Sequence, residues 1–223
     1  MTRRPPGQRT GLTTTPRNIT RGPFEVLNGP TVIDATYAID GANTNRTDEL
    51  RAGCLMGRIN SGLWVPLKLT NVASGFSGSG SGNDGISLNV DDARFFKVAD
   101  QIEIQTSHDA GALAYENDVI AAIDYTNNMI TLTTGVSNPA DGSIVRGRGT
   151  TAGAGICRGV LANTVRLLST EPYNTTEYDT QCQIIYSGLV DEDQILGDLT
   201  AVKADRANHN IRQIAFDDEQ GKD

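Results

Sequence analysis

Between Gly75 and Gly85 the chain reads Gly-Phe-Ser-Gly-Ser-Gly-Ser-Gly-Asn-Asp-Gly, five glycines and three serines in eleven residues. Such a stretch has almost nothing to bury and no preferred backbone shape, so it reads as a flexible tether. A fold built on this chain must leave one packed unit before it and enter another after it. The flanking patterns change accordingly. Residues 50–69 read as incomplete β structure, residues 86–149 as a compact β module, and residues 156–216 as a resumption of the first pattern. The expected organisation is nested: an extended N-terminal arm (1–23), a first core portion (24–74), the Gly/Ser linker (75–85), an inserted β domain (86–149), a second core portion (150–216) and an acidic tail (217–223). A second glycine-rich run, from 147 to 155, closes the excursion.

Charge sharpens this picture. The chain of 223 residues carries a formal net charge of −8, unevenly spread. Residues 1–23 hold Arg3, Arg4, Arg9, Arg17 and Arg21 and no acid. Setting those five aside from the 19 basic residues leaves 14 against 27 acids, so the rest of the chain stands near −13. A basic arm on an acidic body suits an arm that finds another surface, and argues against a body that coats nucleic acid. The arm also contains Pro5, Pro6, Pro16 and Pro23, which remove backbone donors and favour extended chain. Stretched out, it would span roughly 75 Å at about 3.3 Å per residue.

Hydrophobic residues make up 38 % of the chain, enough for a modest core. Cys54, Cys157 and Cys182 are odd in number and form no C-x-x-C pair, so they read as small buried hydrophobes in a reducing compartment. No apolar run approaches the ~20 residues of a membrane span, and the basic start lacks the apolar stretch of a secretory signal. Asn18, Asn45 and Asn174 match glycosylation acceptors, which without such a signal read as chance matches.

Strand patterns dominate. Residues 31–39 form one extended stretch. Residues 53–59 and 63–67 make a hairpin whose turn, Asn60-Ser-Gly62, gives Gly62 a positive φ. Pro66 lacks a ladder donor, so the second strand lies at an edge or ends there. In the central module, residues 86–90, 96–98 and 102–104 alternate, with a turn at Ala99-Asp100. Residues 119–123 and 129–133 flank Asp124-Tyr-Thr-Asn-Asn128, where Asn127 and Asn128 tolerate left-handed backbone. Pro139-Ala-Asp-Gly142 turns the chain into residues 143–145. These short strands predict a small barrel or sandwich. Beyond it, residues 156–161 and 181–186 read as strands, 190–199 as a short helix, 204–210 as a helical turn and 211–216 as a final strand.

Catalytic chemistry finds little footing. Ser107-His108-Asp109 contains the residue types of a hydrolytic triad, but neighbours in extended chain face opposite ways, so a polar loop is expected. His209, the other histidine, has no metal-like spacing to it. Asp191, Glu192 and Asp193 read as acids favoured by a helix start in preference to a cation site. The glycines at 78, 80 and 82 form no P-loop, because no Gly-Lys-Ser/Thr follows. With no aromatic residue before Phe24, the basic arm offers no base-stacking platform. No enzyme, cofactor or metal is expected.

Leu50-Arg-Ala-Gly-Cys-Leu-Met-Gly-Arg-Ile-Asn-Ser-Gly-Leu-Trp-Val-Pro-Leu67 resembles the hairpin, with its Gly-x-x-Val-Pro, of lambda-type phage head decoration proteins. Ile156-Cys-Arg-Gly-Val-Leu161, followed by 178–188 running into Leu189-Val-Asp191, is similar to that family's later strands. Residues 204–216 resemble its closing helix and Ile-rich strand. The resemblance covers roughly half the chain in two pieces, and rests on the order of short motifs. The excursion from about Gly75 to Gly153 departs from the minimal family pattern.

The resemblance implies a mainly β protein with short helices. Its β-tulip-like core would be interrupted by an inserted small β-barrel or sandwich and preceded by the extended arm. It further implies a homotrimer on the outer capsid surface, at three-fold and quasi-three-fold positions. There it would bind the major capsid protein and cement the expanded, DNA-filled shell, after synthesis in the host cytoplasm. Direct nucleic-acid or membrane contact is not expected. The arm, through Arg3, Arg4, Arg9, Arg17 and Arg21, is the expected capsid contact. The competing reading is a virion-surface adhesion module whose insert binds a host glycan or receptor. A small hydrolase using His108 ranks behind both.

Overall fold

The computed structural model describes residues 19–27, 31–44, 48–73, 87–105, 114–136, 139–167, 180–204 and 214–217. These form a mainly β protein with very little helix, and its two larger sheets curl as half-barrels. The expected hairpin is present as β4 (Leu55–Arg58) and β5 (Trp64–Pro66), antiparallel with Arg58 opposite Trp64. Its turn closes through Ile59 N–H donating to Leu63 O at 3.0 Å and Gly62 N–H to Ile59 O at 2.9 Å. Gly62 takes φ 89°, a conformation that a side chain at this turn would strain. Pro66 is the last residue of β5, so its missing donor costs the ladder nothing.

Around this hairpin an eight-stranded sheet assembles from both ends of the chain. It adds β1 (Thr20–Val26), β2 (Thr31–Ile33), β12 (Gly159–Leu161), β14 (Thr180–Cys182), β15 (Ile184–Asp191) and β16 (Ile214–Asp217). The order is β1-β15-β12-β4-β5-β2-β14, with β16 running parallel to β15. Gly159 permits the β12–β15 approach, because a Cβ there would lie 2.4 Å from Ile184 Cγ2 and 2.6 Å from Ile185 O. A two-stranded piece, β3 (Glu49–Leu50) with β13 (Val165–Arg166), flanks the sheet.

A six-stranded antiparallel sheet holds the chain between. It comprises β6 (Leu69–Asn71), β7 (Ser87–Asn89), β8 (Gln101–Gln105), β9 (Tyr115–Asp124), β10 (Met129–Leu132) and β11 (Ile144–Gly147), in the order β6-β11-β8-β9-β10-β7. Its alternating strands aim Leu88, Ile102, Ile104, Ile120, Ile130 and Val145 into one apolar cluster. Strand β6 precedes Gly75 and is bonded to β11. The β9–β10 turn forms where expected. Asp124 Oδ1 accepts from Thr126 N–H at 2.9 Å and Asn127 N–H at 3.1 Å, and Asn128 adopts φ 50°.

Several expected elements are corrected. The extended stretch 31–39 stops at Ile33, because Asp34 Oδ1 accepts from Thr36 N–H at 3.0 Å and turns the backbone. Residues 96–98 form no strand: Asp100 Oδ2 accepts from Lys97 N–H at 2.7 Å, and the turn expected at Ala99-Asp100 falls at 98–99, with Ala99 at φ 71°. Residues 181–186 divide at Gln183 into β14 and β15, and 156–161 narrows to β12. The helix expected over 190–199 is instead the end of β15, a 3-10 turn (Glu192–Gln194) and extended chain. The α-helix, α1, spans Leu199–Ala204. Leu55 N–H donates to Leu196 O at 3.0 Å and Leu196 N–H to Gly53 O at 2.9 Å, so pairing with the hairpin strand outcompetes a helical turn there. The final strand is β16, and 205–213 lie outside the described residues.

Candidate functional site

The two chain portions that flank the central sheet meet where β12 pairs with β4. This meeting builds a groove of about 610 Å³ lined by Leu27, Arg58, Ile59, Asn60, Gly62, Trp64 and Arg158. Arg58 ends β4, and its Nε donates to Gly62 O at 2.8 Å. The turn that closes the hairpin therefore also holds the guanidinium. Trp64 sits across from it with only 6 % of its surface exposed. Arg158 leads into β12, anchored by its N–H donating to Met56 O at 2.8 Å, with its side chain exposed. No carboxylate lines the groove.

Among the described residues Arg21, Arg51, Arg94, Arg146 and Arg166 pair with Asp191, Asp40, Asp92, Glu103 and Asp48 respectively. Arg58 and Arg158 pair with no acid among them. Both line the groove and give it positive charge, with Leu27 and Ile59 as an apolar wall.

Polar rivets join the two sheets and hold this geometry. Lys68, wholly buried between β5 and β6, donates from Nζ to Asp100 Oδ2 at 2.5 Å and to Phe95 O at 3.0 Å. Burial pushes its ammonium below the ordinary lysine value, and Asp100 opposes that shift. Asp198, just before α1, accepts from Thr70 Oγ1 and Asn71 N–H, each at 3.0 Å, and from Ala201 N–H at 2.8 Å. One carboxylate thus caps the helix and grips the first strand of the other sheet.

A smaller crevice of about 300 Å³ gathers Asp91, Asp92, Glu192 and Asp198. Burial and then the Asp198 charge raise Asp91 above the ordinary carboxylate value, and burial does the same for Asp92 against the pull of Arg94. Glu192 is bound to Lys203, and Asp92 to Arg94. Among the described residues no group of three or more His, Cys, Asp or Glu is arranged to hold a metal ion. Asp191 caps the 3-10 turn by accepting from Asp193 N–H at 3.2 Å, a local electrostatic role within a shorter helical turn than expected. Cys54 and Cys157 sit in apolar clusters, and burial pushes the Cys157 thiol up to about 12, so it stays protonated at neutral pH.

Of the arm residues, Arg3, Arg4, Arg9 and Arg17 lie outside the described residues, as do Ser107, His108, Asp109, His209 and the glycines at 78, 80 and 82. Arg21 belongs to β1 and bonds Asp191 at 3.0 Å on the chain's own body. The groove arginines escaped sequence reasoning. Their signal was available: each interrupts an apolar run, Leu-Met-Gly-Arg58-Ile and Ile-Cys-Arg158-Gly-Val-Leu.

Fold and groove together define a mainly β protein of two riveted sheets with a basic, carboxylate-free groove on the larger one. No family model, curated protein or solved structure matches the chain.

Proposed function

We propose that this chain is a phage head decoration protein. It would trimerise on the outer capsid surface at three-fold and quasi-three-fold positions and bridge major capsid subunits of the expanded shell. One observation carries the reading. The stretches that resemble decoration proteins, 50–67 on one side and 156–161, 178–191 and 204–216 on the other, lie about ninety residues apart, yet β4, β5, β12, β15 and β16 share one sheet. The larger sheet is then the β-tulip-like core, and β7–β11 the inserted small β domain, joined by β6 from the first core portion. A protein that binds only the expanded shell stabilises it by linkage, and three copies of a weak contact on one trimer raise avidity. The arm contributes by adding main-chain hydrogen bonds to a sheet edge of the shell, guided by Arg3, Arg4, Arg9 and Arg17.

Purified protein added to expanded heads lacking it should bind in multiples of three and raise their resistance to heat. A strict monomer that leaves the heads unbound and unprotected would overturn the reading. A second reading, adhesion to a host glycan or receptor, draws on exposed Val98, in the turn before β8, and Val119 of β9, 58 % and 37 % accessible. Glycan-array binding by the whole chain, lost in Val98→Asp, would favour it over the first.

A further inference from the structure

The groove between β4, β5 and β12 has the chemistry of a receptor for carboxylates. Its charged side chains are the donors Arg58 and Arg158, and neither is satisfied by an acid among the described residues. Arg58 is held by the bond of its Nε to Gly62 O, which orients the guanidinium without using its terminal nitrogens. Trp64 adds the edge of an indole and Asn60 an amide to the lining. A guanidinium fork matches a carboxylate in paired N–H···O bonds, and its planar geometry loses little entropy in making them. Leu27 and Ile59 supply an apolar wall beside that charge. A polyphosphate chain would meet the wall unmatched and would face a chain of net charge −8 beyond the groove. A protein segment that places Asp or Glu beside aliphatic side chains satisfies both features.

We propose that this groove docks an acidic, aliphatic-containing peptide segment of a partner protein, with Arg58 and Arg158 gripping its carboxylates. The assignment rests on the decoration reading only in naming the shell subunit as that partner; the recognition chemistry stands apart from it. Arg58 comes from the first chain portion and Arg158 from the second, so the receptor exists only once both have joined one sheet.

The test is fluorescence anisotropy of the full chain with a labelled peptide of alternating Glu and Leu, against a Lys/Leu peptide and inorganic phosphate. The acidic peptide should bind, weaken with added salt, and lose about tenfold in affinity in Arg158→Ala, with part of the loss recovered in Arg158→Lys. Arg158 is exposed, so the variant should keep the parent melting temperature; Arg58→Gln serves as a second probe from the other strand. Equal binding of both peptides, or unchanged affinity in both arginine variants, would overturn the proposal. Displacement by phosphate as effective as by unlabelled peptide would reassign the groove to small anions. Self-association of the chain abolished by Arg158→Ala would reassign it to a second copy. Peptide binding without occupancy of heads would leave the groove assignment standing and remove the shell as its partner.

Discussion

Lys68 shows most sharply how one residue is forced by its surroundings. A wholly buried lysine is tolerated because Asp100 and Phe95 O answer its charge and donors. Lys68→Met strands a buried carboxylate and should cost about 3–5 kcal/mol in urea unfolding, whereas the double change with Asp100→Asn should recover much of that loss. Asp91 illustrates the opposite case. Its acid is raised, chiefly by burial and the Asp198 charge, so the native state binds a proton more tightly than the unfolded chain does. The stability it contributes is present below the ordinary value of 3.8 and is lost as pH rises through the raised pKa. Asp91→Asn should therefore flatten the fall in melting temperature as pH rises above 3.8, read by a series of thermal melts.

Among elements, the glycines separate packing from backbone strain. Gly159→Ala drives a methyl into Ile184 and the Ile185 carbonyl between two central strands, an overpacking of roughly 1–3 kcal/mol or more. Gly142→Ala meets open space and faces only its φ of 77°, a strain of about 1–2 kcal/mol. Chemical denaturation of the two variants should rank them in that order, and the reverse order would refute the tight β12–β15 approach. The hairpins were legible because their turns are local: Asn60-Ser-Gly62 and Asp124–Asn128 carry their own backbone preferences. Residues 190–199 were misread because helix-start acids are also local signals, and the pairing of Leu196 with Gly53 and Leu55, invisible in the chain order, prevailed. The strand expected at 96–98 failed for a related reason, a carboxylate at Asp100 competing for backbone within an alternating pattern, next to the turn expected at Ala99-Asp100.

For the whole molecule, the N-terminal boundary has an experimental consequence. Ile19 is buried and β1 begins at Thr20, so residues 19–23 belong to the folded body. Removing residues 1–18 should leave the melting temperature near that of the parent while lowering occupancy of expanded heads. Removing 1–23 deletes part of β1 with Ile19 and Arg21, and should lower the melting temperature as well. Equal head occupancy after the shorter deletion would take the arm out of the proposed mechanism.

The sequence by itself determined the strand-rich class, the main hairpins and the change of pattern around the glycine-rich segment. Those features follow from side-chain alternation and turn chemistry, which act over a few residues. Only the tertiary structure decided that β4 and β12 would lie side by side, that Lys68 and Asp100 would close the seam, and that Arg58 and Arg158 would share one groove. Each joins residues that are distant in the chain, and the burial and hydrogen bonding that select such pairings exist only when the sheets have packed.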